Sequence, residues 1–554
     1  MKVPTGESFA PLRERPSSGV DREGSTGFDW QRWLVVMAGA LGVRLIFYTG
    51  FFGSDEVTYI AAAFKLLQGD WAVSNYVGSN RYGVNLPMAG FASVFGPNEF
   101  AAALFSMLCS LAEVALVFSV GQRMLGRRAG FLAAAVLALM PLHVHSAGRL
   151  MADAPLALAM TASFLMFWNG QTRNRSSAFA CAGVVAGLAF WIKPHAVLYL
   201  LLFLSYPLLF WRWNWKWAWM LAGFVVLLLA NAALFWALTG NPLFLIDAIR
   251  ARQSSGYLES GAASGSIEDG PLFYLRYLFV KVYHSWLVAY LALGAVLLWL
   301  ARRDGRDAAQ RDAIAYCVWW SFGLVLLFSL FVVSWRPLLF IPKQTNYMLM
   351  FLAPLSLLAG HTLARFRGLR GWAVAAAVLV PSILLAGMQQ NSIRVFTANS
   401  KAALEFSRTH LDSEVFVNTN ALRAATFNNL VRPDASIGNV RFIGDLTIAP
   451  PDLDIARSSG TRYAIIDTET LSWGSDEPIK ALAEVPSCWT KVGLLQPTGL
   501  GAGTRMLVAL HPVASLLPER LRDSVTGKLD TLTHPAPAYV FKLPPTGCGL
   551  AQAR

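Results

Sequence analysis

Asp55 and Glu56 are adjacent carboxylates, and they follow closely on a long apolar stretch, "WLVVMAGALGVRLIFYTGFF". Acids at a membrane–water boundary suit two tasks: taking a proton from a hydroxyl, or holding a metal ion. Arg149 and Asp153 lie four residues apart, a spacing that a helix brings together. Lys193 and His195 flank Pro194 between two apolar segments. A lysine there costs several kcal/mol unless it snorkels to water or meets an anion. A further polar stretch, "SWRPLLFIPKQTNYMLMF", carries Arg336, Lys343, Gln344, Asn346 and Tyr347. Lysine and arginine suit a phosphate or diphosphate leaving group. Acids from two loops, cations from three, and apolar grooves for a lipid tail are what transfer from a lipid-phosphate donor to a hydroxyl requires.

Such residues need a membrane-spanning frame to bring them together. The 554 residues are 55% hydrophobic and 14% charged, against about 25% charged in soluble domains. The class is an α-helical polytopic membrane protein. A span needs about 20 apolar residues, and about eleven such stretches are readable. They lie near 31–52, 100–122, 130–147, 154–169, 178–192, 196–211, 217–238, 286–301, 313–333, 346–363 and 372–388. The pair at 178–211 is either one broken helix or two tightly joined ones. Loops after alternate spans are basic: "GQRMLGRRAG", "NGQTRNRSS", "WRWNWKW", "ARRDGRDAAQRD" and "ARFRGLRG". Excess Lys and Arg mark the cytoplasmic side. The N-terminus is therefore expected inside a bacterial inner (plasma) membrane. Loops 53–99, 143–153, 193–195, 239–285 and 334–345, and everything after about residue 388, are expected outside. The net charge of +13 thus reads as topology, not as nucleic-acid binding. Trp211, Trp213, Trp215, Trp217 and Trp219 form an expected aromatic belt. Arg44 stands within the first span, where it either snorkels or pairs.

Locally, Ser54 is expected to cap a helix with Asp55 and Glu56 in its first turn. Val57, Ile60, Phe64 and Leu67 give it an apolar stripe on the membrane, and Gly69 ends it. "NRYGVNLPMAGFASVFGPNEF" predicts a second surface helix in the same outer loop. A capping role for Asp153 and snorkelling for Lys193 are the plainer readings of those residues. His143 and His145, two apart, do not share a helical face. Residues 1–29 read as a disordered cytosolic tail without a signal-peptide core, and 30–390 as the transmembrane catalytic domain. Residues 391–515 read as a small extracytoplasmic α/β domain, with "EVFVNT", "RYAIIDT" and "RMLVALH" as strands and "TANSKAALEFSRTHL" as a helix. Residues 516–554 read as a poorly ordered tail. Of five cysteines, Cys488 and Cys548 either pair, as an outer location permits, or stay free.

Three motifs resemble the polytopic lipid-dependent glycosyltransferases of superfamily C. The resemblance is greatest to the branch of protein O-mannosyltransferases and lipid A aminoarabinose transferases. They are "SDEVTYIAAAFKLLQGDW", "GRLMADAPLALAMTASFLMFW" and "GLAFWIKPHAVLYLLL". The resemblance implies a polyprenyl-phosphate sugar donor, a lipid, glycan or protein acceptor, and inversion at the anomeric carbon. It implies Asp55 as acceptor-activating base or metal-proximal carboxylate, Glu56 as its partner, and Asp153 completing the acidic site. A divalent cation, if one takes part, would sit on these three. Arg149 and Lys193 would face donor phosphate, with Lys343 assisting. The family's Lys-Pro-Pro is here Asn85-Leu86-Pro87, so Arg81 is the substitute cation; its Arg-Tyr is here Asn346-Tyr347. Tyr59, Asn85, His195, Asn346 and Tyr347 complete the expected substrate contacts. Two alternatives stand: a transporter or flippase, whose ionisable residues usually sit near the midplane, and an inactive assembly protein of the same fold.

Overall fold

Apolar runs dictate the frame. The computed structural model describes residues 28–71, 73–74, 76–254, 270–301, 308–336, 338–448, 461–471 and 479–544. In chain order the helices are α1 (Trp30–Ile46), α2 (Glu56–Leu67), α3 (Tyr82–Phe95), α4 (Glu99–Leu125), α5 (Arg127–Leu139) and α6 (Pro141–Ala147). Then come α7 (Asp153–Arg173), α8 (Ser176–Ile192), α9 (Tyr199–Phe210), α10 (Ala218–Thr239), α11 (Phe244–Ser254) and α12 (Phe273–Phe279). They are followed by α13 (Val288–Leu300), α14 (Ala308–Leu330), the hairpin β1 (Val332–Trp335) and β2 (Leu338–Phe340), α15 (Leu349–Leu363) and α16 (Gly368–Thr409). Among the described residues, four helices are long and apolar enough to cross a membrane: those at Glu99–Leu125, Trp215–Thr239, Ala308–Leu330 and Gly368–Thr409. The pair α5–α6, bent by 60°, makes a fifth if it is one span. The bend falls where Pro141 forces Met140 into an extended conformation (φ −64°, ψ 127°).

The two kinds of loop gather at opposite ends. At one end Arg212 pairs with Asp312 (2.7 Å), Asn214 bonds Asn174 (3.1 Å), and Gln310 donates to the Leu125 carbonyl (2.9 Å). These are the basic loops and the tryptophan cluster. At the other end Gly50 N–H donates to the Gly148 carbonyl (3.1 Å) and Asn346 to Asp153 (3.1 Å).

Helices α8 and α10 cross at backbone contact. A Cβ on Gly183 would lie 1.9 Å from the Met220 carbonyl oxygen, and one on Gly223 2.4 Å from that of Ala180. Small residues permit such approach where apolar burial alone does not drive helices together.

Arg44 pairs rather than snorkels. Its guanidinium, fully buried, donates to Ser110 Oγ (2.9 Å), to the Ala40 and Ala138 carbonyls, and to His143 Nδ1 (2.7 Å). A guanidinium only donates, so His143 Nδ1 accepts and its proton sits on Nε2. That nitrogen faces Glu113 Oε2 at 3.0 Å, and Thr161 donates to Glu113 Oε1 at 2.8 Å. Five helices, α1, α4, α5, α6 and α7, are tied by one neutralised network.

Helix α16 runs without a break from the apolar bundle into a second unit, so the expected boundary at 390/391 falls inside one helix. That unit holds β3 (Glu414–Val417), α17 (Thr419–Val431), β4 (Val440–Phe442), β5 (Arg462–Asp467), β6 (Thr490–Leu495), α18 (Ala502–Ala509), α19 (Glu519–Thr533) and β7 (Ala538–Lys542). The sheet order is β4-β3-β5-β7-β6, with β3 parallel to β4 and β5, and β7 antiparallel to β5 and β6. Two expectations are corrected here. "RMLVALH" is mostly the helix α18, because Gly503 and Thr504 pack on α16, with Gly503 N–H donating to Gln390 and Thr504 to Asn391, while Leu507 packs against Leu529 of α19. The stretch 516–544 is not a loose tail: α19 is ordered and β7 lies inside the sheet, with Ala538 and Val540 inward. Pro537, just before the strand, masked it without breaking it. Residues 1–27 and Cys548 lie outside the described residues. Asp29 accepts from Arg32 N–H (3.2 Å) and caps α1.

The Arg44 network generates a stability prediction. Glu113→Ala leaves a buried guanidinium uncompensated and destabilises by about 3–5 kcal/mol. Arg44→Met combined with Glu113→Leu recovers most of that loss, because the charge leaves with its partner. Thermal unfolding in detergent checks both, and equal melting temperatures for wild type and Glu113→Ala would contradict the role assigned to the network.

Candidate functional site

The chain reverses after α1 in a tight loop with positive φ at Gly50 (+69°) and Gly53 (+96°), conformations that favour glycine. Helix α2 then begins at Glu56. Ser54 does not cap it. The cap position is Asp55, without a side-chain cap bond, and Ser54 N–H instead donates to Glu56 Oε2 at 2.8 Å. The Asp55 carboxylate is thereby released from capping, and it accepts from the Tyr76 hydroxyl. The buried face of α2 is Glu56, Tyr59, Ile60, Ala63 and Phe64. It packs on α3 and on α17, so the expected stripe meets protein, and only Leu67 of it is exposed.

The expected Arg149–Asp153 pair does not form. Helix α6 ends at Ala147 and α7 begins at Asp153, so the four-residue spacing spans a turn instead of a helix. The two residues exchange partners. Arg149 donates to fully buried Glu56 Oε1 (3.2 Å) and lies 4.7 Å over the Phe52 ring. Asp153 is no helix cap; Oδ1 accepts from Lys193 Nζ at 2.5 Å and from Asn346 Nδ2 at 3.1 Å.

Lys193 does not snorkel. It is 4% exposed, in an extended break (φ −146°, ψ 119°) between α8 and Pro194. Burial pulls its ammonium below the ordinary 10.5, and Asp153 restores only part of that. Its Nζ stands 5.3 Å from the centre of the Tyr347 ring, which also meets the His195 ring at 4.9 Å. Burial, then Lys193 and Arg81, push His195 down to about 3, so its imidazole is neutral.

Arg81 lies over Tyr59, 5.4 Å from the ring centre, and donates to its hydroxyl. Asn85, buried in α3, donates to the Ser79 carbonyl at 2.8 Å. It shapes the loop that carries Tyr76 and Arg81. Lys343 is buried, donates to the Ile341 carbonyl (3.1 Å), and stands 5.0 Å over Phe340. Asn85 Oδ1, Arg149 Nε and His195 Nε2 are buried without a hydrogen-bond partner among the described residues. Such atoms need partners, which water or a polar ligand can supply.

Among the described residues, no three His, Cys, Asp or Glu side chains gather closely enough to hold a metal ion. Asp55, Glu56 and Asp153 are each taken by a hydroxyl or cation instead. Among the described residues this donor set does not form a divalent-ion cage.

Sequence reasoning missed several residues. Tyr76 is isolated in a polar loop and carries no periodic signal. The second unit grips the reversing loop: Arg423 donates to the Gly53 carbonyl (2.8 Å), Arg394 to that of Tyr48 (2.9 Å), and Phe427 stacks on Phe51 (4.5 Å). These bonds join residues more than 340 positions apart, beyond any local pattern.

Residues 83–236 match the family described as dolichyl-phosphate-mannose-protein mannosyltransferase. Over 240 residues the chain is 27% identical to undecaprenyl phosphate-alpha-4-amino-4-deoxy-L-arabinose arabinosyl transferase 2 of Pseudomonas fluorescens. That match covers 40% of this chain and 41% of the relative, about two fifths of its length. Apo ArnT from Cupriavidus metallidurans aligns with a TM-score of 0.53 at 15% identity, over 84% of this chain and 96% of that one. The Archaeoglobus fulgidus oligosaccharyltransferase, in complex with Zn and sulfate, aligns with a TM-score of 0.50 at 12% identity, over 84% and 72%. At these identities the structural likeness is one of fold. Loop motifs, matched stretch and aligned architecture agree: the chain carries the superfamily C fold of the polytopic, lipid-dependent glycosyltransferases.

Proposed function

We propose that the protein transfers a monosaccharide from a polyprenyl-phosphate donor to a hydroxyl or other nucleophile of a lipid, glycan or protein acceptor, on the outer face of the membrane. The observation that carries this reading is the buried Lys193, paired with Asp153 and flanked by Asn346 and Tyr347, at the end of the bundle that also holds Asp55. The donor phosphate would enter against Lys193, with Arg81 and Arg149 adding positive charge. The prenyl tail would lie along the apolar helices. Asp55 takes the acceptor proton as the oxygen attacks the anomeric carbon. The bond from that carbon to the phosphate oxygen breaks, polyprenyl phosphate leaves, and attack from the opposite face inverts the centre. Tyr76 orients Asp55, while Glu56 and Arg149 fix the start of α2. The relative from Pseudomonas fluorescens is named for an undecaprenyl-phosphate sugar donor, which supports the donor class. The acceptor rests on the chemistry of Asp55 alone.

Asp55→Asn is expected to lower transfer from radiolabelled polyprenyl-phosphate sugar to a membrane extract by about 10²–10⁴-fold, with an unchanged melting temperature. Full activity in that variant removes Asp55 as the base. Lys193 is charged below its pKa, and burial sets that pKa under 10.5. Affinity for undecaprenyl phosphate is therefore expected to fall as pH rises toward 10.5. In Lys193→Arg, whose charge persists beyond pH ~12, the fall disappears. Binding titrations from neutral to alkaline pH check the sign, and a wild-type affinity that rises with pH contradicts it.

A further inference from the structure

One part of the first-loop motif takes no part in the acidic cluster. Its end, Gly69-Asp70-Trp71, follows α2, and there Asp70 and Trp71 line a cavity of about 250 Å³ between α2 and α3. Thr58, Lys65, Ser79 and Tyr82 are among the other lining residues. Trp71 is 39% exposed, and its ring meets that of buried Tyr82 at 5.8 Å with a 34° tilt. Lys65 and Asp70 form a half-exposed ion pair at 3.8 Å on the same wall. The local reading of that pair is a helix end held shut, since Asp70 N–H also donates to the Lys65 carbonyl. It leaves the exposed indole and the cavity unexplained.

An aromatic face, the four hydroxyls of Thr58, Ser74, Ser79 and Tyr82, a carboxylate and an ammonium around a small cavity fit a particular kind of ligand. It has one flat apolar face and a rim of hydroxyls that both donate and accept. The volume lies below the ~300 Å³ at which sites for drug-sized ligands begin, so the ligand is about one ring in size. We propose that this cavity binds a sugar ring of the acceptor, one that does not itself react. The word acceptor rests on the transferase reading; the sugar site does not.

The placement fits that role. Thr58 lines the cavity while its neighbour Tyr59 bonds Arg81 in the acidic cluster, so the two sites use different faces of α2. A helix is about 10–12 Å across, too far for one ring to occupy both. The segment from Tyr76 to Tyr82 serves both sites: Tyr76 donates to Asp55, whereas Ser79 and Tyr82 line the cavity. An acceptor held here would press on the loop that orients the base.

Saturation-transfer NMR on the full chain tests this. The protein is placed in phospholipid nanodiscs, free of sugar-based detergent, and no donor is added. The probes are the methyl glycosides of glucose, galactose, mannose and N-acetylglucosamine, with glycerol as a small-polyol control. At least one glycoside is expected to bind wild type. It should bind Trp71→Ala about tenfold more weakly and regain affinity in Trp71→Phe. No glycoside binding, equal saturation of glycerol, or an unchanged affinity in Trp71→Ala overturns the proposal. Trp71-dependent binding by a protein that transfers no sugar keeps the site and removes the transferase reading. Transfer without Trp71-dependent binding does the reverse.

Discussion

A lysine that is 4% exposed at the end of a membrane bundle must be neutralised where it stands. An isolated buried charge is strongly unfavourable, and only close pairing with further hydrogen bonds offsets it. Much of the surrounding geometry follows from that demand. The break after α8 turns Lys193 inward instead of outward. The start of α7 presents Asp153 at 2.5 Å, and the segment before α15 supplies Asn346 to the same oxygen. Three loops far apart in sequence are thereby fixed to one point. A buried pair of this kind stabilises little by itself. Its value lies in specifying where the loops meet and, in the proposed reaction, in holding a cation for the donor phosphate.

The second constraint is the reversing loop before Asp55. Its two glycines with positive φ make the turn, and its carbonyls are bonded from the other unit by Arg423 and Arg394. Helix α16 enters that unit without a break, so the unit does not hang on a flexible tether. Asp55 is positioned from both sides, by the bundle through Glu56 and Arg149, and by the sheet-bearing unit through Gly53. Beneath this, the network of Arg44, His143 and Glu113 is where a transport mechanism would begin. It is fully buried and internally bonded, which suits a structural tie better than a moving charge.

Much of this was legible in the sequence, and the limits are physical. Long apolar runs and alternating basic loops placed the helices and the two ends, because burial in lipid and charge bias act over many residues at once. The identities at Asp55, Asp153 and Lys193 stood out because charge beside apolar segments is costly. The pairings did not. Arg149 and Asp153 looked like helical neighbours, and a turn between α6 and α7 gave each a distant partner. Ser54 looked like a cap, and one residue of register moved the helix start. Strand β7 was hidden by the prolines just before it and by pairing with strands more than 40 residues away. Local patterns report local energies; Tyr76 and Arg423 act only through the tertiary fold.

The central claim is that the buried pair of Lys193 and Asp153 marks the seat of the donor phosphate. A cryo-EM map of the full chain in nanodiscs with added undecaprenyl phosphate tests it most directly. The account predicts phosphate density against Lys193 and Arg81, with the prenyl tail running down the adjacent helices. Phosphate density at the arginine-rich end of the bundle, with the seat around Lys193 unchanged, would contradict it.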